Sequence, residues 1–229
     1  MAFVLIHGAT FAGSCWRYVV PLLNAPALAV DLPGRASKPG DLAHQTYEGW
    51  ARSVLADMDA AGIQRATFVG HSLGGATLVT LARLAPERIG ALVFLAAPVP
   101  PDTNFRREDL LARNADSSGA LPFDPMVEPV KGIFTSDLDT EAAREMLADR
   151  VRESFTILIE PVSLEGLRRT MRCHYIRIAE DKACPPAIQD ATIARLRQHC
   201  PVDVIPLAGG HMPMYSRPRA LADILNAIH

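Results

Sequence analysis

Ser72 stands in the run Gly70-His71-Ser72-Leu73-Gly74-Gly75, between the apolar stretch Ala66-Thr67-Phe68-Val69 and an apolar helical pattern from Ala76 to Leu84. A strand, a very tight turn and a helix in that order lift a serine hydroxyl above a sheet edge in a strained conformation. Gly70 and Gly74 let the strand and helix backbones approach where a side chain would clash. The pattern G-x-S-x-G is short, and the flanking strand and helix are what give it meaning. A serine hydroxyl attacks poorly unless a base takes its proton, and that base needs an orienting carboxylate. The chemistry on offer is nucleophilic acyl transfer.

Around such a turn the partners follow in the order Ser, acid, His, each on a loop at the carboxyl end of a strand. His211 sits in Ala208-Gly209-Gly210-His211-Met212, a glycine-rich loop just past the last apolar run. His174 falls within a predicted strand, His199 at a helix end and His229 at the terminus, so His211 is the expected base. The acid should leave the preceding strand, where Ile178-Ala179-Glu180-Asp181-Lys182-Ala183-Cys184-Pro185 offers two carboxylates. Asp181 is preferred because a proline four residues on turns such a loop inward, with Glu180 the alternative. Asp203, inside the last strand, reads as structural.

A tetrahedral intermediate also needs two backbone N–H donors. Leu73 supplies one at a helix N-terminus, where the dipole favours negative charge, and Ala9 in the loop after the first strand is the candidate for the other. Thr10, Phe11, Trp16, Met212 and Met214 are candidate walls of an apolar substrate pocket, the last four being equally open to a place in the core. His7 reads as a loop brace, and neither Cys15 nor Ser14 is promoted to nucleophile. No metal-ligand spacing, phosphate loop or dinucleotide fingerprint is present, so no metal or cofactor is expected.

These residues require a frame of strands. Phe3 to Ile6, Ala27 to Val30, Ala66 to Val69, Ala91 to Ala96, His174 to Ala179 and Val202 to Leu207 read as strands, several wholly apolar as burial on both faces demands. Helices are expected over Trp16–Leu23, Tyr47–Ala61 with Thr46 as N-cap and Gly62 as C-cap, Ala76–Leu84, Ala187–Gln198, and Arg217–Ile228 with Ser216 as N-cap. Strand–helix alternation with apolar strands implies a doubly wound, mostly parallel α/β sheet of about six strands. Alternation lapses from about 99 to 172, a stretch with several prolines, a loop at Ser117-Ser118-Gly119 and one clear helix from Thr140 to about Arg152. Its length points to an inserted helical cap within a single domain spanning 1–229.

At 229 residues, 49% hydrophobic and with net charge −2, the chain has core enough for one domain and no basic footprint for nucleic acid or a membrane surface. No apolar run reaches a membrane span of about 20 residues. Four cysteines, Cys15, Cys173, Cys184 and Cys200, form no C-x-x-C pair, and the start Met1-Ala2-Phe3-Val4 lacks a signal-peptide pattern. A cytoplasmic location is expected.

The chain resembles the α/β-hydrolases along essentially its whole length, and within them the plant methylesterases and hydroxynitrile lyases with their bacterial esterase relatives. The resemblance is carried by Leu5-Ile6-His7-Gly8-Ala9 with Trp16, Asp31-Leu32, Val69 to Gly75, Val93-Phe94-Leu95-Ala96-Ala97, Glu180-Asp181-Lys182 and Gly210-His211-Met212. It implies Ser72, Asp181 and His211 as a triad, and the Ala9 and Leu73 N–H groups as the oxyanion hole. The lyases of this family carry a threonine directly after the first-strand histidine and a lysine directly after the catalytic histidine. Gly8 and Met212 stand there, so a departing cyanide would find no partner. Phe11 and Ser14 replace the second histidine and first tryptophan of the family's glycine-rich loop, so its aryl methyl esters are not carried over. The expectation is a cofactor-free serine carboxylesterase acting on a small, mostly apolar ester. Lactonase, thioesterase or lyase-like use of the same site are the enzyme alternatives, and a non-catalytic ligand-binding protein is the alternative of another class. Homodimer formation is left open.

Overall fold

The computed structural model describes residues 1–99 and 130–228. Six parallel strands form one sheet: β1 (Ala2–Ile6), β2 (Ala27–Val30), β3 (Ala66–His71), β4 (Ile89–Leu95), β5 (Cys173–Ile178) and β6 (Val202–Leu207), in the spatial order β2-β1-β3-β4-β5-β6. The chain runs outward from β1 to β2, then returns across β1 to build β3 through β6 on the other side. The winding therefore reverses between β1 and β3, and the carboxyl ends of those two strands open the crevice where such sheets bind ligands.

Burial explains the apolar runs. β3 and β4 are buried along their whole length, while β2 and β6, at the edges, are half open to solvent. The full burial expected of Ala27–Val30 is thus not met, because an edge strand has a neighbour on one side only. Pro206 sits in β6, where a missing N–H costs least because one side of the strand is free. Helices α1 (Tyr47–Ala60) and α2 (Gly74–Leu84) pack on one face of the sheet with Phe68, Leu92 and Phe94. The other face packs Leu5, Val69, Val93 and Ile176 against Trp16, Leu221 and Leu225.

Local signals account for both ends of α1. Thr46 accepts a hydrogen bond from Gly49 N–H at 3.0 Å to cap α1, and Gly62 takes the left-handed conformation (φ 68°) just past its end. The expected helix over Trp16–Leu23 is instead two short 3-10 turns, Gly13–Trp16 and Val20–Leu22. Pro21 has no N–H to continue an α-helical ladder, so the path from β1 to β2 stays in short turns.

Between β4 and β5 the described chain forms α3 (Val130–Phe134), α4 (Thr140–Ala148) and α5 (Phe155–Ile159). Asp139 caps α4 by accepting from the N–H groups of Glu141 and Ala142. The helix stops at Ala148 rather than near Arg152, because residues 150–153 turn back to bond the loop after β1. The loop expected at Ser117-Ser118-Gly119 lies outside the described residues, as does most of the first half of the stretch 99–172 expected to form a cap.

After β5 come α6 (Pro186–His199), α7 (Pro213–Ser216) and α8 (Pro218–Ile228). The helix expected over Arg217–Ile228 is present as α8, one residue shorter, but Ser216 ends α7 instead of capping it, and Arg217 (φ −142°) stands between the two helices. Pro218 disfavours a helical conformation in the residue before it, which accounts for the break. No helix among the described residues is long and apolar enough to cross a membrane.

Candidate active site

β3 ends at His71, and the chain reverses at once into α2. Ser72 takes φ 49°, a left-handed conformation costing about 1–2 kcal/mol for a residue with a Cβ. The turn is held by Ser72 N–H donating to Leu95 O at 3.0 Å and Gly75 N–H donating to Ser72 O at 2.9 Å. A Cβ on Gly70 would stand 2.8 Å from Gly74 O, so the close approach inferred from these glycines is what the backbone adopts. Ser72 itself is only partly buried, and Leu73 N–H opens the helix that follows.

Asp181 lies in the loop after β5, buried at 3% exposure. Its Oδ1 accepts from Ala183 N–H and Cys184 N–H, both at 2.8 Å, and its Oδ2 stands 2.7 Å from His211 Nδ1. Gln189 on α6 braces this loop through Ile178 N–H, Ile178 O and Cys184 O. Glu180, the other carboxylate weighed for this position, is exposed. Both Asp181 oxygens are thus occupied by N–H groups, an arrangement that sets the imidazole with its Nε2 turned away from the carboxylate.

His211 is 1% exposed and lies in the loop between β6 and α7. Its backbone oxygen accepts from His71 Nε2 at 2.9 Å, and its ring lies 4.7 Å from the His71 ring and 5.2 Å from the Phe134 ring. Gly209 and Gly210 leave no room for a Cβ beside the Asp137 carboxylate, which presses down on this loop. Among the described residues Ser72 Oγ makes no hydrogen bond. His71, adjoining Ser72 in the chain, is the link that ties the turn to the His211 loop.

The loop after β1 completes the surround. Ala9 is partly exposed, and Thr10 takes φ 61°. Thr10 N–H donates to Glu153 Oε2 at 2.9 Å, so that donor is already taken. A Cβ on Gly8 would stand 2.9 Å from both Ser72 Cβ and His71 Nδ1. His7 accepts from Leu32 N–H at Nε2 (3.2 Å), which leaves its proton on Nδ1, 2.9 Å from Gly8 O. Burial, aided by the nearby Arg35 charge, pushes its pKa down to about 3. It is a neutral brace.

Trp16, Met212 and Met214 are wholly buried and Phe11 nearly so, all in the core packed against α8. In this structure they sit in the core rather than on an open pocket wall. Cys15 shares that core, and burial raises its thiol pKa far above the usual range. All four cysteines are buried free thiols. An open surface depression between Tyr18, Glu145 and Tyr215 holds none of the candidate catalytic residues. Among the described residues no three His, Cys, Asp or Glu side chains gather as a metal ion would require.

The sequence did not single out Glu153, Arg35 or His71 for these contacts. Their partners lie 143, 118 and 140 residues away in the chain, and no local pattern marks such pairs.

Three comparisons bear on the site. The family described as "Alpha/beta hydrolase family" matches residues 3–224. A pyrethroid hydrolase of Sphingobium wenxiniae is 29% identical over 241 residues, covering 97% of this chain and 85% of that protein. A protein named putative methylesterase 14, chloroplastic, of Arabidopsis thaliana is 26% identical over 97% of this chain and 70% of its own. The crystal structure of a pyrethroid hydrolase from Sphingobium faniae superimposes with a TM-score of 0.77 at 27% identity, covering 99% of this chain and 96% of that one. A plant methylesterase and bacterial hydrolases are thus among the similar proteins, as the sequence motifs suggested.

Proposed function

The chain belongs to the alpha/beta hydrolase family, and from that premise we propose that it is a serine carboxylesterase acting on a small, mostly apolar ester, with no cofactor. The observation that carries this reading is the 2.7 Å bond between Asp181 and His211 on a loop tied to the strained Ser72 turn. In this reading His211 Nε2 takes the Ser72 proton as Oγ attacks the ester carbonyl, and Asp181 holds the ring and stabilises the imidazolium. The Ala9 and Leu73 N–H groups receive the oxyanion, and His211 returns the proton to the leaving alcohol. Water, activated by the same imidazole, then releases the acid from Ser72. The Ser72–His211 bond closes with substrate present, as such bonds often do.

The described residues 130–172 are read as part of a cap at this site, with the Phe134 ring edge-on to the His211 ring at 5.2 Å. The tight space at Gly8 argues against lyase chemistry, since a threonine there would need the Ser72 turn to shift. Relatives named as a pyrethroid hydrolase and a methylesterase support ester hydrolysis as the reaction class.

The test is a panel of p-nitrophenyl esters of rising acyl length with aryl and indole methyl esters, run on wild type and Ser72→Ala. Turnover of short or medium esters by wild type alone supports the reading. Turnover that survives in the variant, or cyanide release from mandelonitrile exceeding ester hydrolysis, overturns it.

A further inference from the structure

Every polar group of Thr10 is held by the segment that follows α4. Its N–H donates to Glu153 Oε2 at 2.9 Å, its carbonyl accepts from Val151 N–H at 2.8 Å, and its Oγ1 accepts from Arg150 Nε at 3.0 Å. Thr10 needs such holding, because φ 61° is costly for any residue with a Cβ. Glu153 is 1% exposed. Its Oε1 receives the Arg35 guanidinium and the Ser154 N–H, leaving Oε2 aimed at Thr10. Arg35 is fixed in turn: it donates to Pro33 O at 2.9 Å, and its guanidinium lies 4.5 Å from the Trp50 ring centroid. A desolvated ion pair contributes little net stability, while either partner left alone is strongly destabilising. Its retention here coincides with a specific acceptor position beside the candidate oxyanion loop.

The Ala9–Thr10 peptide plane is therefore set by a carboxylate that arrives from the insertion between β4 and β5. One peptide earlier stands the Ala9 N–H. With the chain anchored on both sides, by β1 before it and by the bonds to Thr10 after it, a turn of the Ala9–Thr10 peptide has to be taken up at the φ and ψ of Ala9, and the Gly8–Ala9 peptide that carries this donor is the first to absorb it. We propose that Glu153, anchored by Arg35, is a positioning residue for the oxyanion hole, acting through Thr10 on the Ala9 N–H without touching substrate. This inference rests on the esterase reading above and adds to it a residue from outside the triad. It also makes the hole depend on the docking of the 150–153 segment.

Glu153→Ala alone would leave Arg35 buried without its counter-charge, so loss of folding would obscure the result. Two double variants avoid this. Glu153→Leu with Arg35→Met removes both charges at similar volume and leaves Thr10 N–H without an acceptor. Glu153→Gln with Arg35→Met also removes both charges but restores an amide oxygen facing Thr10 N–H. The readouts are ester kinetics, the rate of Ser72 phosphonylation by a fluorophosphonate, and thermal melting. We expect the leucine double variant to lose about 10- to 100-fold in kcat with little change in KM, and to be phosphonylated more slowly in proportion. The glutamine double variant should recover most of both rates at a similar melting temperature. Equal activity in the two double variants, whether retained or lost, overturns the positioning role. A wild-type protein that neither hydrolyses esters nor reacts at Ser72 overturns the esterase reading first, and this inference with it.

Discussion

His71 Nε2 lies 2.9 Å from the backbone oxygen of His211, joining the residue before Ser72 to the loop that carries the candidate base. Burial, with the neighbouring His211 second, holds the His71 pKa well below its usual value, so the ring is neutral. A carbonyl partner requires the proton on Nε2, which makes this histidine a fixed donor. This bond ties the turn to the loop that carries the base.

Loss of that donor should be felt mainly in rate. His71→Phe keeps an aromatic ring but leaves the His211 carbonyl without its partner. We expect a stability loss of about 1–3 kcal/mol in urea unfolding, the cost of a buried acceptor left unmade. We expect kcat/KM to fall roughly 10- to 100-fold, as for a displaced catalytic group. Wild-type kinetics in a folded His71→Phe protein would show that other contacts place His211.

Asp181→Asn tests the carboxylate directly. Its Oδ1 would still accept from Ala183 and Cys184 N–H, so the loop should persist while the side chain facing His211 Nδ1 becomes neutral. A loss on the order of 10⁴-fold in kcat is expected for an imidazole left in the wrong tautomer. Glu180→Gln, at an exposed carboxylate, should leave kcat near wild type.

Gly8→Thr should harm the esterase rather than convert it. The new Cβ would stand 2.9 Å from Ser72 Cβ and His71 Nδ1, closer than side-chain carbons pack, so the turn must move. Overpacking of this kind costs about 1–3 kcal/mol. Lower ester turnover and a lower melting temperature, with no cyanide release from mandelonitrile, are expected. Assays of both substrates on the purified variant check this.

His7 gives the protein an acid-sensitive stability. Above its usual pKa of 6.5 the ring is neutral in both folded and unfolded chains, so it confers no pH dependence. Below 6.5 the unfolded chain binds a proton that the folded chain refuses until about pH 3, so stability falls across that interval. His71 adds to the loss in the same direction. His7→Gln can still accept from Leu32 N–H but cannot titrate. Between pH 6.5 and 5, before most carboxylates protonate, its urea midpoint should fall less steeply than that of wild type. Parallel curves would place the acid sensitivity elsewhere.

The sheet was legible because parallel strands buried on both faces must be apolar throughout, as Ala91–Ala96 is. The Ser72 turn was legible because glycine is required where Gly70 meets the Gly74 backbone. The stretch Trp16–Leu23 misled because its apolar spacing suits a helix, while Pro21 and the short path to β2 permit only 3-10 turns. Trp16, Met212 and Met214 could be read either as pocket walls or as core, because side-chain direction is not written in composition, and all three are buried. Glu153 looks like a surface residue in Val151-Arg152-Glu153-Ser154. It is buried, paired with Arg35 from a distant loop and bonded to Thr10 N–H.

The most direct measurement is mass spectrometry of the intact protein and its peptides after brief exposure to a fluorophosphonate, on wild type, Ser72→Ala and His211→Asn. A single phosphonyl adduct on Ser72, absent in Ser72→Ala and formed far more slowly in His211→Asn, is the expected result. An adduct on another residue, or labelling of Ser72 at an unchanged rate in His211→Asn, would contradict the assignment of Ser72 as a nucleophile activated by His211.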